Sequence, residues 1–293
     1  MIIANPLYDV VFKYLLEDIE IARELLATIL GEDILSVEVK PQEMTSENQM
    51  SSISILRFDF KAIIKTPTGE LKKVLIELQK AKQVLDVMRF RRYLGDNYRK
   101  EDDVLNNEGL PEKRPLPIIT IYVLGFKLDN IQSAVVKINR EYRDVLTQEV
   151  IEVKEEFVEL LTHDSYLIQV PRLKVQTKTK LETVLQVFSP AFRTKDRHQL
   201  DFRGDDTVPL VKKMIDRLGR AMASDEMRDK MDFEDEIDRI FVREIGKAEA
   251  AKDKIIEEKE RDLEQKDQEL QAERQKAEEL MRQIAALQAQ LKK

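Results

Sequence analysis

The sequence predicts an α/β protein: a mixed β-sheet flanked by helices, followed by a helical C-terminal region and one long terminal helix. Three observations lead there. Residues 56–64 and 74–78 alternate apolar and polar side chains on either side of a turn, which is the period of strands. Residues 116–126 (LPIITIYVLGF) are a continuous apolar run rich in β-branched side chains, as expected of a central buried strand. From Ala248 onward neither Pro nor Gly interrupts a composition almost entirely of Glu, Lys, Gln, Ala, Leu and Arg, which is that of a long helix.

Taken in order, Asn5 followed by Pro6 reads as an N-cap and first-turn pair opening a helix whose Leu7, Val10, Val11, Tyr14 and Leu15 share a face. A second helix is predicted over 18–30, stopped by Gly31 in the left-handed conformation. Beyond a polar loop over 41–52, Leu56, Phe58, Phe60, Ala62 and Ile64 alternate with Arg57, Asp59, Lys61 and Lys65 as a half-buried strand. Thr66-Pro67-Thr68-Gly69 supplies turn residues, and Val74, Ile76 and Leu78 resume the alternation, so the two strands form a hairpin. Residues 80–100 read as a helix with Ala81, Val84, Leu85 and Met88 on its apolar side and Lys82, Arg89, Arg92 and Arg99 on one stripe. Strands are expected at 135–142 and 166–170, and helices at 178–187, 208–222 and 233–245. The expected organisation is a main domain over 1–170, a helical extension over 171–246 and a charged helix over 247–293.

That last helix has two readings. Ile256, Leu263, Leu270, Ala277, Ile284 and Leu291 recur every seven residues, but the companion positions hold Lys252, Lys259, Lys266 and Glu273 before Leu280 and Leu287 complete a seam. It is either a coiled coil joining copies of the chain through its last two heptads or a single charged helix supported by i to i+4 pairs.

Composition narrows the chemistry. With no Cys there is no disulfide, thiolate nucleophile or Cys-ligated zinc, and only His163 and His198 offer imidazole. A metal site must therefore rest on carboxylates, which suit hard cations such as magnesium, manganese or calcium. The apolar run at 116–126 is far short of the roughly 20 residues that span a bilayer, and the first residues lack the pattern of a secretory signal, so a cytoplasmic protein with no membrane segment is expected. The net charge is −7, which alone argues against nucleic-acid binding. Between Arg57 and Lys100, however, twelve basic residues face five acidic ones, a local excess of seven suited to phosphate.

The hairpin carries the constellation of interest. Asp59 shares a strand face with Lys61, and Glu77 shares one with Lys73 and Gln79. If the apolar sets are to meet one core, paired residues must have numbers summing to an even value, and a sum of 136 fits the turn. It sets Asp59 opposite Glu77, with Cβ atoms roughly 5 Å apart. Two carboxylates so close are unfavourable without a cation between them, and a divalent ion there would bind a phosphodiester oxygen and lower the pKa of a water.

At NPLYDVVFKYLL, RFDFKA, VLIELQK and RFRRYL the chain resembles the PD-(D/E)XK nuclease superfamily, and within it the Rpn-like recombination-promoting nucleases or putative transposases. The likeness covers roughly the first 125 residues. It implies a restriction-endonuclease-like core of αβββαβ type and a metal-dependent DNA endonuclease of low sequence specificity. By motif position Asp59 and Glu77 would be the metal ligands for Mg²⁺ or Mn²⁺, with the backbone carbonyl of Leu78 as a further one. Gln79 stands where the signature Lys belongs, an E-x-Q form typical of the Rpn-like branch, and Lys61 is the candidate substitute cation. Asp9 and Lys13 match the opening motif in a supporting role, and Lys82, Arg89, Arg92 and Arg99 would contact DNA. The alternative is a non-catalytic nuclease-fold scaffold acting through its coiled coil.

Overall fold

The computed structural model describes residues 1–40, 60–80, 84–106 and 108–291. They divide into two compact units, Met1–Glu234 and Asp235–Lys293. The first unit opens with β1 (Ile2–Ala4), α1 (Asp9–Leu16), α2 (Ile19–Leu30) and β2 (Ser36–Lys40). The predicted hairpin follows as β3 (Phe60–Lys65) and β4 (Leu71–Gln79), then α3 (Val84–Arg99), a short hairpin of β5 (Asp102–Leu105) and β6 (Pro111–Arg114), and β7 (Ile118–Leu124). Next come β8 (Val135–Ile138), β9 (Tyr142–Arg143), β10 (Val150–Ile151), α4 (Glu156–Leu161), β11 (His163–Gln169), α5 (Lys180–Leu185), β12 (Gln199–Asp201) and α6 (Pro209–Met222). Helix α7 (Asp225–Leu291) begins in the first unit and makes up the described part of the second.

Six strands form a mixed sheet in the order β2-β3-β4-β7-β11-β8. The β4/β7 and β7/β11 pairs are parallel and the others antiparallel. Parallel neighbours need a crossover, and α3 supplies the one between β4 and β7. One face of the sheet presents Phe60, Ala62, Ile64, Val74, Ile76, Ile119, Ile121 and Ile168 to the main core, where α1, α2, α5 and α6 bury their apolar sides. The opposite face lies under α3 and β5: Phe90 of α3 meets Tyr122 of β7 edge-on at 4.7 Å, and Val104 of β5 packs with Ile63. The sheet is therefore buried on both faces, where the alternation of β3 and β4 predicts one solvated face. The charged residues on that second face are internal and must be paired there.

Several boundaries differ from expectation. Asn5 and Pro6 do not cap α1. The Asn5 side chain instead accepts from the Leu7 N–H and donates to the Arg197 carbonyl, closing a turn that ties β1 to β12, and the helix starts at Asp9. Helix α2 behaves as predicted: Asp18 accepts from the N–H groups of Glu20 and Ile21, and Gly31 ends it at φ 73°. Helix α3 does not rest on Met88, which is exposed, but on Phe90 and Asn97. Residues 135–142 split into β8 and β9. Val184, Leu185, Leu210, Val211 and Met214, within the expected helical extension over 171–246, join the main core. In the second unit Ile256, Leu263, Leu270 and Leu280 are exposed. No helix among the described residues is long and apolar enough to cross a membrane.

Candidate functional site

Strand β4 sets the site, because its alternation places Lys73, Leu75, Glu77 and Gln79 on the face under α3. Its antiparallel register with β3 pairs Phe60 with Ile76 and Ala62 with Val74, so partner numbers sum to 136, the value the turn requires. Asp59 and Lys82 lie outside the described residues. Glu77 is wholly buried and Gln79 nearly so. Across the parallel pair Glu77 stands beside Tyr122, whose phenol is pushed above its ordinary pKa by burial, with the Glu77 charge adding to the effect. Leu78 turns its side chain to the opposite face and packs against the main core.

The first turn of α1 reaches the same neighbourhood. Lys13 Nζ lies 2.6 Å from Asp9 Oδ2, one helical turn away. Burial pushes the Lys13 ammonium below its usual value against the pull of Asp9, of Glu234 and, more weakly, of Glu77, so Asp9, Lys13 and Glu77 share one electrostatic field. Burial likewise raises the Asp9 carboxyl, with Lys13 opposing and Glu234 reinforcing the shift. Immediately after Gln79, Lys80 pairs with the Glu234 carboxylate and sets its Nζ 3.6 Å from the centre of the Tyr8 ring, a cation–π contact. Glu234 also accepts from the backbone N–H groups of Asp9 and Val10, at 3.2 and 3.5 Å.

Lys61 turns away from this cluster. Its Nζ is 2.8 Å from Asp102 Oδ1, and Lys73 Nζ is 2.5 Å from Asp102 Oδ2 while donating to the Asn97 carbonyl at 3.0 Å. Other basic residues of 57–100 are also paired within the chain: Lys72 meets Glu32 and Glu70, Lys80 meets Glu234, and Arg99 meets Asp96. On α3 Arg91, Arg92 and Arg99 are exposed, and the side chain of Arg89 lies outside the description.

Glu77, Gln79, Asp9 and Lys13 are thereby brought to one region, whereas Lys61 is engaged elsewhere. Sequence reasoning missed Tyr8, Lys80, Tyr122 and Glu234. Lys80 was within reach, being adjacent to Gln79. Glu234 was not, since a lone Glu in an acidic stretch carries no local signal that it caps a helix 225 residues away. Among the described residues Asp9, Glu77 and Glu234 offer carboxylate oxygens here, a ligand type that suits a hard divalent ion rather than zinc or copper. Comparison with protein-family models, with curated proteins and with solved structures gives no match.

Proposed function

We propose that the chain is a metal-dependent DNA endonuclease of the PD-(D/E)XK type, Rpn-like, in which Asp59 and Glu77 hold Mg²⁺ or Mn²⁺ with help from the Leu78 carbonyl. The observation that carries this reading is the β3–β4 register, in which Phe60 partners Ile76 and Glu77 sits fully buried at the next position of β4. A carboxylate withdrawn from water on a sheet face is an oxygen ligand of the kind a hard divalent cation takes. The order α2, β2, β3, β4, α3, β7 also agrees with the αβββαβ core that the resemblance implies.

When bound, the ion supplies Lewis-acid stabilisation of the phosphodiester and a lowered pKa for water. Glu77 contributes a fixed negative charge that needs no reorganisation during the reaction. Gln79, on the same face, offers an amide that orients by hydrogen bonding and cannot take up a proton at neutral pH. Asp9 and Lys13 shape the field around Glu77, and the exposed Arg91 and Arg92 of α3 meet backbone phosphates without reading bases, so affinity falls steeply with salt. The chain works in the cytoplasm, and its terminal helix joins copies.

A second reading, a non-catalytic scaffold acting through the terminal helix, draws on one observation: Lys61 and Lys80 both face carboxylates of the chain itself. One assay separates the two. The purified chain is incubated with supercoiled plasmid and Mg²⁺ or Mn²⁺, beside Asp59→Asn and Glu77→Gln. The endonuclease reading expects nicking that falls at least a hundredfold in either variant. Nicking unchanged in both, or DNA binding with no cleavage, overturns it.

A further inference from the structure

Glu234 is placed by the first turns of α7. Met227 and Met231 sink into the main core, and Glu234 follows at i+7 from Met227 and i+3 from Met231, so it emerges on the same helical face. That face delivers its carboxylate to two places. One is the N-terminus of α1, where the N-cap residue Tyr8 makes no side-chain cap bond and the amides of Asp9 and Val10 turn to Glu234 instead. The other is Lys80, at the first position beyond β4. Tyr8 closes the arrangement from its side by presenting its ring to the same ammonium. One side chain thus joins the N-terminus of α1, where Asp9 pairs with Lys13 one turn on, to the strand end carrying Glu77 and Gln79.

We propose that Glu234 is a positioning residue of the Glu77 site: it orders the first turn of α1 and anchors Lys80, so that Asp9, Lys13 and Glu77 keep one arrangement. The proposal rests on the endonuclease reading for its kinetic consequence, though not for its structural one. Two properties of the carboxylate are used separately. Capping the α1 amides needs only an acceptor oxygen, which Gln retains, whereas holding the Lys80 ammonium needs the negative charge. The direction of the Asp9 shift agrees, since Glu234 is among the charges that raise it.

The experiment uses the full chain and the variants Glu234→Gln, Glu234→Ala, Lys80→Met and the Lys80→Met/Glu234→Gln double, with Leu218→Ala as a control that destabilises the core elsewhere. Amide hydrogen exchange is read at Asp9 and Val10, and at Gly125, whose N–H donates to the Gln79 carbonyl at 2.7 Å. Plasmid nicking with Mn²⁺ is resolved into kcat and KM. In Glu234→Ala, exchange should rise about tenfold or more at all three amides, and kcat should fall about tenfold with KM within twofold. Glu234→Gln should restore protection at Asp9 and Val10 but not at Gly125, and the double variant should be no worse than Lys80→Met alone. Wild-type protection at Gly125 in Glu234→Ala overturns the proposal whether or not the protein cleaves DNA. So does a kcat loss that Leu218→Ala reproduces at equal thermal stability. A wild-type chain that never cleaves, with the exchange pattern as expected, overturns the endonuclease reading and supports the positioning role of Glu234.

Discussion

Lys73 Nζ lies 2.5 Å from Asp102 Oδ2 with both side chains almost fully withdrawn from solvent, and Lys61 reaches the other oxygen of the same carboxylate. Two ammonium groups depend on one carboxylate, so the partners are not equivalent. Asp102→Asn leaves the Lys73 charge buried without compensation and should cost about 3–5 kcal/mol. Lys73→Met removes the buried charge at similar volume while Lys61 still satisfies Asp102, and should cost less than about 2 kcal/mol. Urea denaturation midpoints at constant slope measure both; equal losses would sink the argument. Burial holds the Lys73 ammonium below its usual value, with Asp102 pulling the other way. The unfolded chain therefore binds more protons between that lowered pKa and 10.5, and this group's contribution to stability rises with pH across the window.

Level with Lys73 on the same face, across Ile118 of β7, the Tyr98 hydroxyl and His163 Nδ1 are 2.7 Å apart, joining the last turn of α3 to the first residue of β11. Burial pushes the imidazole below its ordinary pKa, and the neighbouring Arg140 cation pushes it further. The folded chain thus keeps His163 neutral where the unfolded chain takes up a proton. Stability from this group is full above about pH 6.5 and is lost as the pH falls through that value towards the folded pKa. Tyr98→Phe should cost about 1 kcal/mol at pH 7.5. His163→Asn should flatten the stability profile between pH 7.5 and pH 5. A variant whose denaturation midpoint follows pH as steeply as the wild type would exclude His163 as the cause.

Two glycines make opposite predictions. A Cβ on Gly125 would meet the Lys80 carbonyl oxygen at 2.7 Å and its Cα at 3.1 Å, where backbone leaves no room to yield. Gly125→Ala should therefore destabilise by about 1–3 kcal/mol and loosen the strand ends around Gln79. A Cβ on Gly95, within α3, would meet nothing within 4 Å. Gly95→Ala should stabilise by about 0.8–1 kcal/mol through helix propensity alone. Thermal unfolding of the two variants gives shifts of opposite sign if both arguments hold.

What could be read from the sequence follows the range of the forces involved. The register of β3 and β4 was legible because side-chain alternation and a four-residue turn are local and leave only one consistent pairing. Helix α2 was legible because Asp18 and Gly31 mark its ends. Strands β5 and β6 were not: DDVL and PEKR lack strand propensity, and the pair forms where Asp102 is drawn inward by Lys61 and Lys73, a cause that exists only after the sheet has assembled. Asn5 misled for the same reason, since its side chain is claimed by a carbonyl 192 residues away. The burial of the Glu77 face was likewise invisible, because the polar residues that signal a solvated strand face also fit a face whose charges are paired beneath a helix. Glu234 belongs with these long-range cases, and Asp59 lies outside the described residues.

Metal binding offers a readout of the Glu77 site that does not require turnover. An ion that binds only the folded chain stabilises it by RT ln(1 + [M]/Kd), about 2.7 kcal/mol at a hundredfold excess over Kd. For a unit of this size that corresponds to a rise of roughly 5–10 °C in Tm. Mn²⁺ should produce such a rise in the wild type, and calcium, as another hard cation, a related one. Glu77→Gln should abolish the metal-dependent rise. Lys61→Met should retain the metal response, since its ammonium is committed to Asp102 rather than to the cluster near Glu77. A rise that survives in Glu77→Gln would place the ion elsewhere and remove the physical basis for assigning metal chemistry to this strand.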